Sequence, residues 1–157
     1  MISYIDSEYL PRTFRPTIEC SIDLPQAKQY NLPVFYFSES TRIVNRALAF
    51  LDLGNGWSGA GTVPPKPSTL ENVRFVCKNI KDNYLQLLHL DDVVPSPYGT
   101  ISLYFEDVKG NELSIEIGSS EIGICGTIEG EDFAFNELGI DKIKFVSQLV
   151  EKLNTSE

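Results

Sequence analysis

Residues 101–135 read ISLYFEDVKGNELSIEIGSSEIGICGTIEGEDFAF. Ile101, Leu103 and Phe105 alternate with Ser102, Tyr104 and Glu106. Leu113, Ile115 and Ile117 alternate with Glu112, Ser114 and Glu116, and Ile122, Ile124 and Ile128 with Glu121, Cys125, Thr127 and Glu129. Successive side chains of a strand point to opposite faces, so a period of two marks strands buried on one side and wet on the other. Turn residues interrupt the pattern at Asp107–Asn111, around Lys109-Gly110, at Gly118-Ser119-Ser120 and at Gly130-Glu131-Asp132. Phe133 and Phe135 make a short last strand. The stretch predicts an antiparallel meander of about four strands over residues 100–136.

Three helical patterns surround it. Over residues 40–53, Ile43, Val44, Ala47, Leu48, Phe50 and Leu51 form an apolar stripe that Gly54 ends. Ser68-Thr69-Leu70-Glu71 reads as a capping box, with Ser68 as N-cap, opening a helix over residues 69–88. Its expected buried face is Leu70, Val73, Cys77, Ile80, Tyr84, Leu87 and Leu88, and Pro95-Ser96-Pro97-Tyr98-Gly99 is the turn that leaves it. Residues 141–153 present Ile143, Val146, Leu149, Val150 and Leu153. The fold class is α+β, with the three helices packed on one face of the sheet. Residues 1–39 contain four prolines and a period-two run, Ile18, Cys20, Ile22 and Leu24, before Val34–Phe37. They predict a short β hairpin or edge strands, a β-prone extension docked on a single domain spanning 1–157.

Thirteen Lys and Arg against 22 Asp and Glu leave a net charge of −9 in 157 residues. Nucleic acids and anionic lipid surfaces are recognised by replacing counterions with Lys and Arg, so neither is an expected partner. No uninterrupted apolar run comes near the ~20 residues of a membrane span, and Met1–Asp6 lacks the basic start of a secretory signal. Cys20, Cys77 and Cys125 are odd in number, widely spaced and without a neighbouring His, which disfavours disulfides and zinc. They read as small buried hydrophobes, and the chain as a cytoplasmic protein.

Motifs with chemistry fail on context. Gly54-Asn55-Gly56-Trp57-Ser58-Gly59 spells G-x-G-x-x-G, but a helix precedes it where a dinucleotide site needs a strand. Gly56 to Gly61 has Walker spacing, with Thr62-Val63 in place of the Lys and Ser or Thr. Gly56-Trp57-Ser58-Gly59-Ala60 approaches a nucleophile elbow without its last glycine or its preceding strand. His89, the only histidine, reads as a helix-terminal residue, and with Asp91 and Asp92 it makes a thin ligand set for a metal. Glu112 and Glu116 stand about 13 Å apart on one strand face, too far for a glycosidase pair. No catalytic, cofactor or metal site is expected. Trp57 either anchors the Gly-rich loop or stacks on a ligand.

The segment Gly56-Trp57-Ser58-Gly59-Ala60-Gly61-Thr62-Val63-Pro64-Pro65 resembles the Asn-Trp-Asp-Gly-Tyr-Gly-Ala motif, followed by one or two prolines, of a family of small bacterial proteins of unknown function. Trp57, Gly59, Gly61 and the prolines match, while Gly56, Ser58 and Ala60 stand where that family has Asn, Asp and Tyr. The surrounding elements follow a similar order over residues 45–150, including a Pro-x-Gly turn at Pro97-Tyr98-Gly99. What the resemblance implies is a fold and an order of elements. It implies no activity.

The charge is concentrated. Residues 98–140 hold Lys109 alone against nine acids. The alternation assigns Glu106, Glu112, Glu116, Glu121 and Glu129 to the solvent face, with Tyr104 among them. Such a surface suits a basic protein partner, as in antitoxins and immunity proteins, and the expected function is non-enzymatic binding. The alternative is a small-ligand or peptide module, or a minor enzyme, using the loop at Trp57 and Ser58. A third reading gives the charge no role beyond solubility.

Overall fold

The computed structural model describes residues 37–155, all within the unit Phe35–Glu157. Helix α1 (Glu39–Leu48) continues as a 3₁₀ turn (Ala49–Asp52). Helix α2 (Pro67–Asn79) is followed by one helical turn, α3 (Asp82–Leu85). Five strands come next: β1 (Val93–Pro95), β2 (Ile101–Glu106), β3 (Glu112–Ile117), β4 (Glu121–Ile128) and β5 (Glu131–Gly139). A 3₁₀ turn (Ile140–Lys142) leads into α4 (Ile143–Thr155). The sheet is open and antiparallel, and its spatial order is the chain order. The N-terminal strands and Cys20 of the sequence reading lie outside the described residues.

The register follows from burial. Leu103, Ile115 and Ile124 lie side by side across β2, β3 and β4, as do Ile101, Ile117 and Ile122. None of these six is more than 2 % exposed. Helix α2 buries Val73, Val76 and Cys77 and α4 buries Val146 and Val150 against β3 and β4, while α1 buries Ile43 and Ala47 against α2 and β1. Each fully buried aliphatic chain contributes about 1.5–3 kcal/mol relative to exposure. Burial also pushes the Cys77 thiol up to about 12, so it stays protonated at neutral pH.

The structure corrects several expectations. Ser68 is not the N-cap of α2. Lys66 is, without a side-chain bond, because Pro67 takes the first helical position, where a missing N–H costs nothing. The single helix over 69–88 breaks at Ile80, which is extended yet buried. His89 therefore sits in a connection after α3 and caps the 3₁₀ turn Leu90–Asp92. Val93–Pro95 is a strand, so Pro95 ends it instead of opening the turn read over Pro95–Gly99, and the short length lets proline sit there. The last strand is longer than Phe133–Phe135 and carries a bulge, with Glu137 at φ 56°. Cys125 is exposed on the far face of the sheet instead of buried.

One end of the sheet is tied by Asn111, a buried polar residue. Its side-chain N–H donates to Asp107 Oδ2 at 2.7 Å, and its Oδ1 accepts the Glu129 N–H at 2.8 Å. The β2–β3 turn is thereby fastened to the β4–β5 turn. Desolvation works to raise the Asp107 pKa. Hydrogen bonds from Asn111 and the Lys109 N–H outweigh it and hold the carboxyl below its ordinary range. A depressed carboxylate stabilises the fold above its unfolded pKa, near 4, and that contribution disappears as pH falls through the folded value. Asn111→Ala is expected to cost about 1–3 kcal/mol in urea unfolding and to flatten the acid-side loss of stability.

Gly126 faces the core between β3 and β5. A Cβ there runs into the Glu112 carbonyl and lies 3.0 Å from Leu113 Cα. Backbone cannot yield as a side-chain tip does, so Gly126→Ala is expected to destabilise by about 1–3 kcal/mol. Gly110→Ala serves as a separate control, since open space surrounds that glycine but its φ is +80°.

Candidate functional site on the open face of the sheet

The register that buries the aliphatic row turns its neighbours outward. Glu106 is paired with Glu112, Glu112 with Thr127, and Thr127 with Asp132. An acidic row therefore crosses β2, β3 and β5. The carboxylates of Glu106, Glu112 and Asp132 are exposed. Thr127 donates to Asp132 at 2.7 Å, which orients that carboxylate along the row. Like charges placed directly opposite repel, so Glu106 facing Glu112 is a small standing cost. Neither of them, nor Glu116 or Glu121, is in an ion pair with a described residue; ion pairs such as Arg42–Glu39, Arg74–Glu71, Lys81–Glu151 and Lys142–Asp141 lie away from these four acids.

Tyr104 stands beside this row. The Glu112 carboxylate accepts from its phenol. That bond, then partial desolvation, then the charges of Glu112, Glu106 and Asp92 push the phenol up to about 12. The folded chain thus holds this proton more tightly than the unfolded one. Stability gained from it is complete below pH 10 and is lost as pH rises from about 10 to 12. Glu112→Gln is expected to bring the Tyr104 ring-carbon NMR titration back toward 10 and to shrink that alkaline loss.

Glu116 and Glu121 lie at the other end of the face, in a cleft of about 400 Å³. Lys66, Tyr98, Thr100 and the bulge residue Glu137 also line it. Four separate segments build this cleft. Val63 runs parallel to Tyr98, its N–H bonded to the Pro97 carbonyl at 3.0 Å. Gly99, at φ +80°, lets the turn pass close to Pro64, where a Cβ would be 3.1 Å from the carbonyl oxygen. The buried Thr69 hydroxyl donates to the Gly99 carbonyl, and Asn72 to that of Gly118. Thr100 donates to Glu116, and Tyr98 stands 83 % exposed on the rim.

Glu129, expected on this face, is instead in the tight β4–β5 turn at φ 56°, next to Gly130 at φ 82°. Two successive left-handed residues make the type of turn that suits a twisted hairpin. Asp132, read from the sequence as part of that turn, is in the strand and completes the acidic row. Tyr98, Lys66 and Glu137 are site residues that the sequence does not single out as such. They meet in the cleft from distant segments, which no local spacing signals.

Trp57 is half-buried and Ser58 exposed in a loop closed on itself. The Gly56 N–H donates to the Thr62 carbonyl at 2.9 Å, and the Trp57 indole to that of Val63 at 3.4 Å. The Thr62 hydroxyl accepts from the Ser58 N–H and donates to the Gly59 carbonyl. Neither Trp57 nor Ser58 lines the cleft. His89 borders a hollow of about 220 Å³ with Asp92 and Glu106. Among the described residues, no group of three His, Cys, Asp or Glu is placed to hold a metal. No described helix is long and apolar enough to cross a membrane. Thr62→Val is expected to red-shift the emission of Trp57, the single tryptophan, with little change in urea midpoint, because the loop is tied by local bonds.

No protein-family model, curated protein or solved structure matches the chain. The functional reading therefore rests on the site.

Proposed function

We propose that this protein binds a basic protein through the open face of its sheet, without catalysis. The observation that carries the reading is the row Glu106, Glu112 and Asp132, exposed and aligned by the register. Acids that neighbouring lysines neutralise offer little to a partner. The exposed Glu106 and Glu112 repel each other until a cation arrives, so binding relieves a cost the free protein carries. Tyr104 adds a large amphipathic ring among them, the kind of residue that anchors protein interfaces. A field of one sign over the face raises the encounter rate with cationic partners and suppresses anionic ones. Coverage of a partner's nucleic-acid-binding surface, in the manner of an antitoxin or immunity protein, is the use that fits such a face.

The test separates location from bulk charge. Binding of a lysine homopeptide of about ten residues is followed at low salt by titration calorimetry. Glu106→Gln, Glu112→Gln and Asp132→Asn together are expected to weaken it by about tenfold or more. A second variant, Asp52→Asn, Glu71→Gln and Asp91→Asn, loses the same charge off the face and is expected to bind nearly as the wild type does. Equal weakening in both variants, or no binding by the wild type, overturns the reading.

A further inference from the structure

Strand β5 is the outer strand of the sheet and pairs only with β4. Its outward N–H and C=O groups have no backbone partner among the described residues. The opposite edge is less accessible to pairing, because β1 is three residues long and ends in Pro95, which has no N–H to offer. β5 is also the most exposed strand: none of its residues is buried.

The two sides of β5 differ in chemistry. Phe133 and Phe135 pair with Gly126 and Ile124 and so point to the helix side. Phe135 meets Phe145 of α4 edge-on at a centroid distance of 5.1 Å, and Phe133 lies 6.0 Å from Phe135. This aromatic shelf is only partly covered, with Phe135 38 % and Phe145 36 % exposed. On the other side, Asp132 extends the acidic row and Ala134 leaves little bulk beside Cys125. Beyond Phe135 the bulge with Glu137 at φ 56° twists the edge away, so the regular pairing edge is Glu131–Phe135.

We propose that Glu131–Phe135 takes up an extended segment of the basic partner as a sixth antiparallel or parallel strand. The inference rests on the docking reading above and specifies its partner. An added strand alternates its side chains as β5 does. One set meets the phenylalanine shelf and must be apolar. The other set meets Asp132 and the row behind it and must be Lys or Arg. Main-chain hydrogen bonds supply affinity, and the two side-chain sets supply selection. A second copy of this chain is a poor occupant, because it brings Glu131, Asp132 and Glu137 against the same acids.

The probe is an end-blocked peptide of alternating lysine and valine, about seven residues long, added to the full-length ¹⁵N-labelled protein. It is expected to slow hydrogen exchange at alternate amides of Glu131–Phe135 by about tenfold or more at saturation. Two further peptides carry N-methyl groups on alternate residues, one in each phase. One phase is expected to abolish binding and the other to leave it intact, because only one set of peptide amides faces β5. Binding by both methylated peptides without protection of β5 overturns the strand and leaves face docking standing. So does binding of the lysine homopeptide but not of the alternating one. Loss of binding by every cationic peptide overturns both. Protection of β5 that appears without peptide and rises with protein concentration assigns the edge to a second copy and also overturns the inference.

Discussion

Eight side chains on one side of β2, β3 and β4 constrain everything else: Ile101, Leu103, Phe105, Leu113, Ile115, Ile117, Ile122 and Ile124. All are at most 2 % exposed. Slipping any strand by one residue turns its whole set to water and its acids into the core, so the register is strongly specified. The outward positions are fixed by the same choice. Glu106 faces Glu112, and Glu112 faces Thr127, because Phe105, Leu113 and Gly126 must share the inner side. The acidic row is therefore a geometric consequence of core packing. Its being acidic is not: any polar residue satisfies an exposed strand position, and repulsion argues against acids in opposed pairs.

The edges and ends of the sheet complete that picture. Asn111 locks two turns together at the end where the acidic row lies. The cleft with Glu116, Glu121 and Glu137 lies at the other end. Between them the open face carries Tyr104, Ser114 and Cys125 in one line. Among the described residues, helices cover the opposite side, where α2 and α4 close over the aliphatic row. The proposed partner then plays the part that a second layer of structure plays in a sandwich, covering a face that the described helices leave open.

Legibility from sequence tracked one-sidedness. β2, β3 and most of β4 were readable because one face is dry and the other wet, which produces strict alternation. β5 was read short because it is exposed on both faces and bulged, so only Phe133 and Phe135 stood out. The break at Ile80 was invisible, since Cys77, Ile80, Tyr84 and Leu87 recur at the three- and four-residue spacing of one continuous helix, while the chain in fact turns at the extended Ile80. Pro67 displaced the apparent capping box by taking the first helical position itself. Most of the acidic face was in the alternation, except that Glu129 and Asp132 exchanged roles across a turn whose boundary composition alone does not fix. The cleft was not legible, because its walls come from four segments held by backbone contacts such as Val63 to Pro97.

The central claim is that negative potential is concentrated on the open face of the sheet. Paramagnetic broadening of backbone amides by a cationic and by an anionic nitroxide, compared residue by residue at low and high salt, measures it directly. The account predicts a cation-to-anion ratio that peaks at Tyr104, Ser114 and Asp132 and collapses as salt shortens the screening length. A ratio that is uniform over the sheet and the helices, or that peaks on α1 and α2, contradicts it.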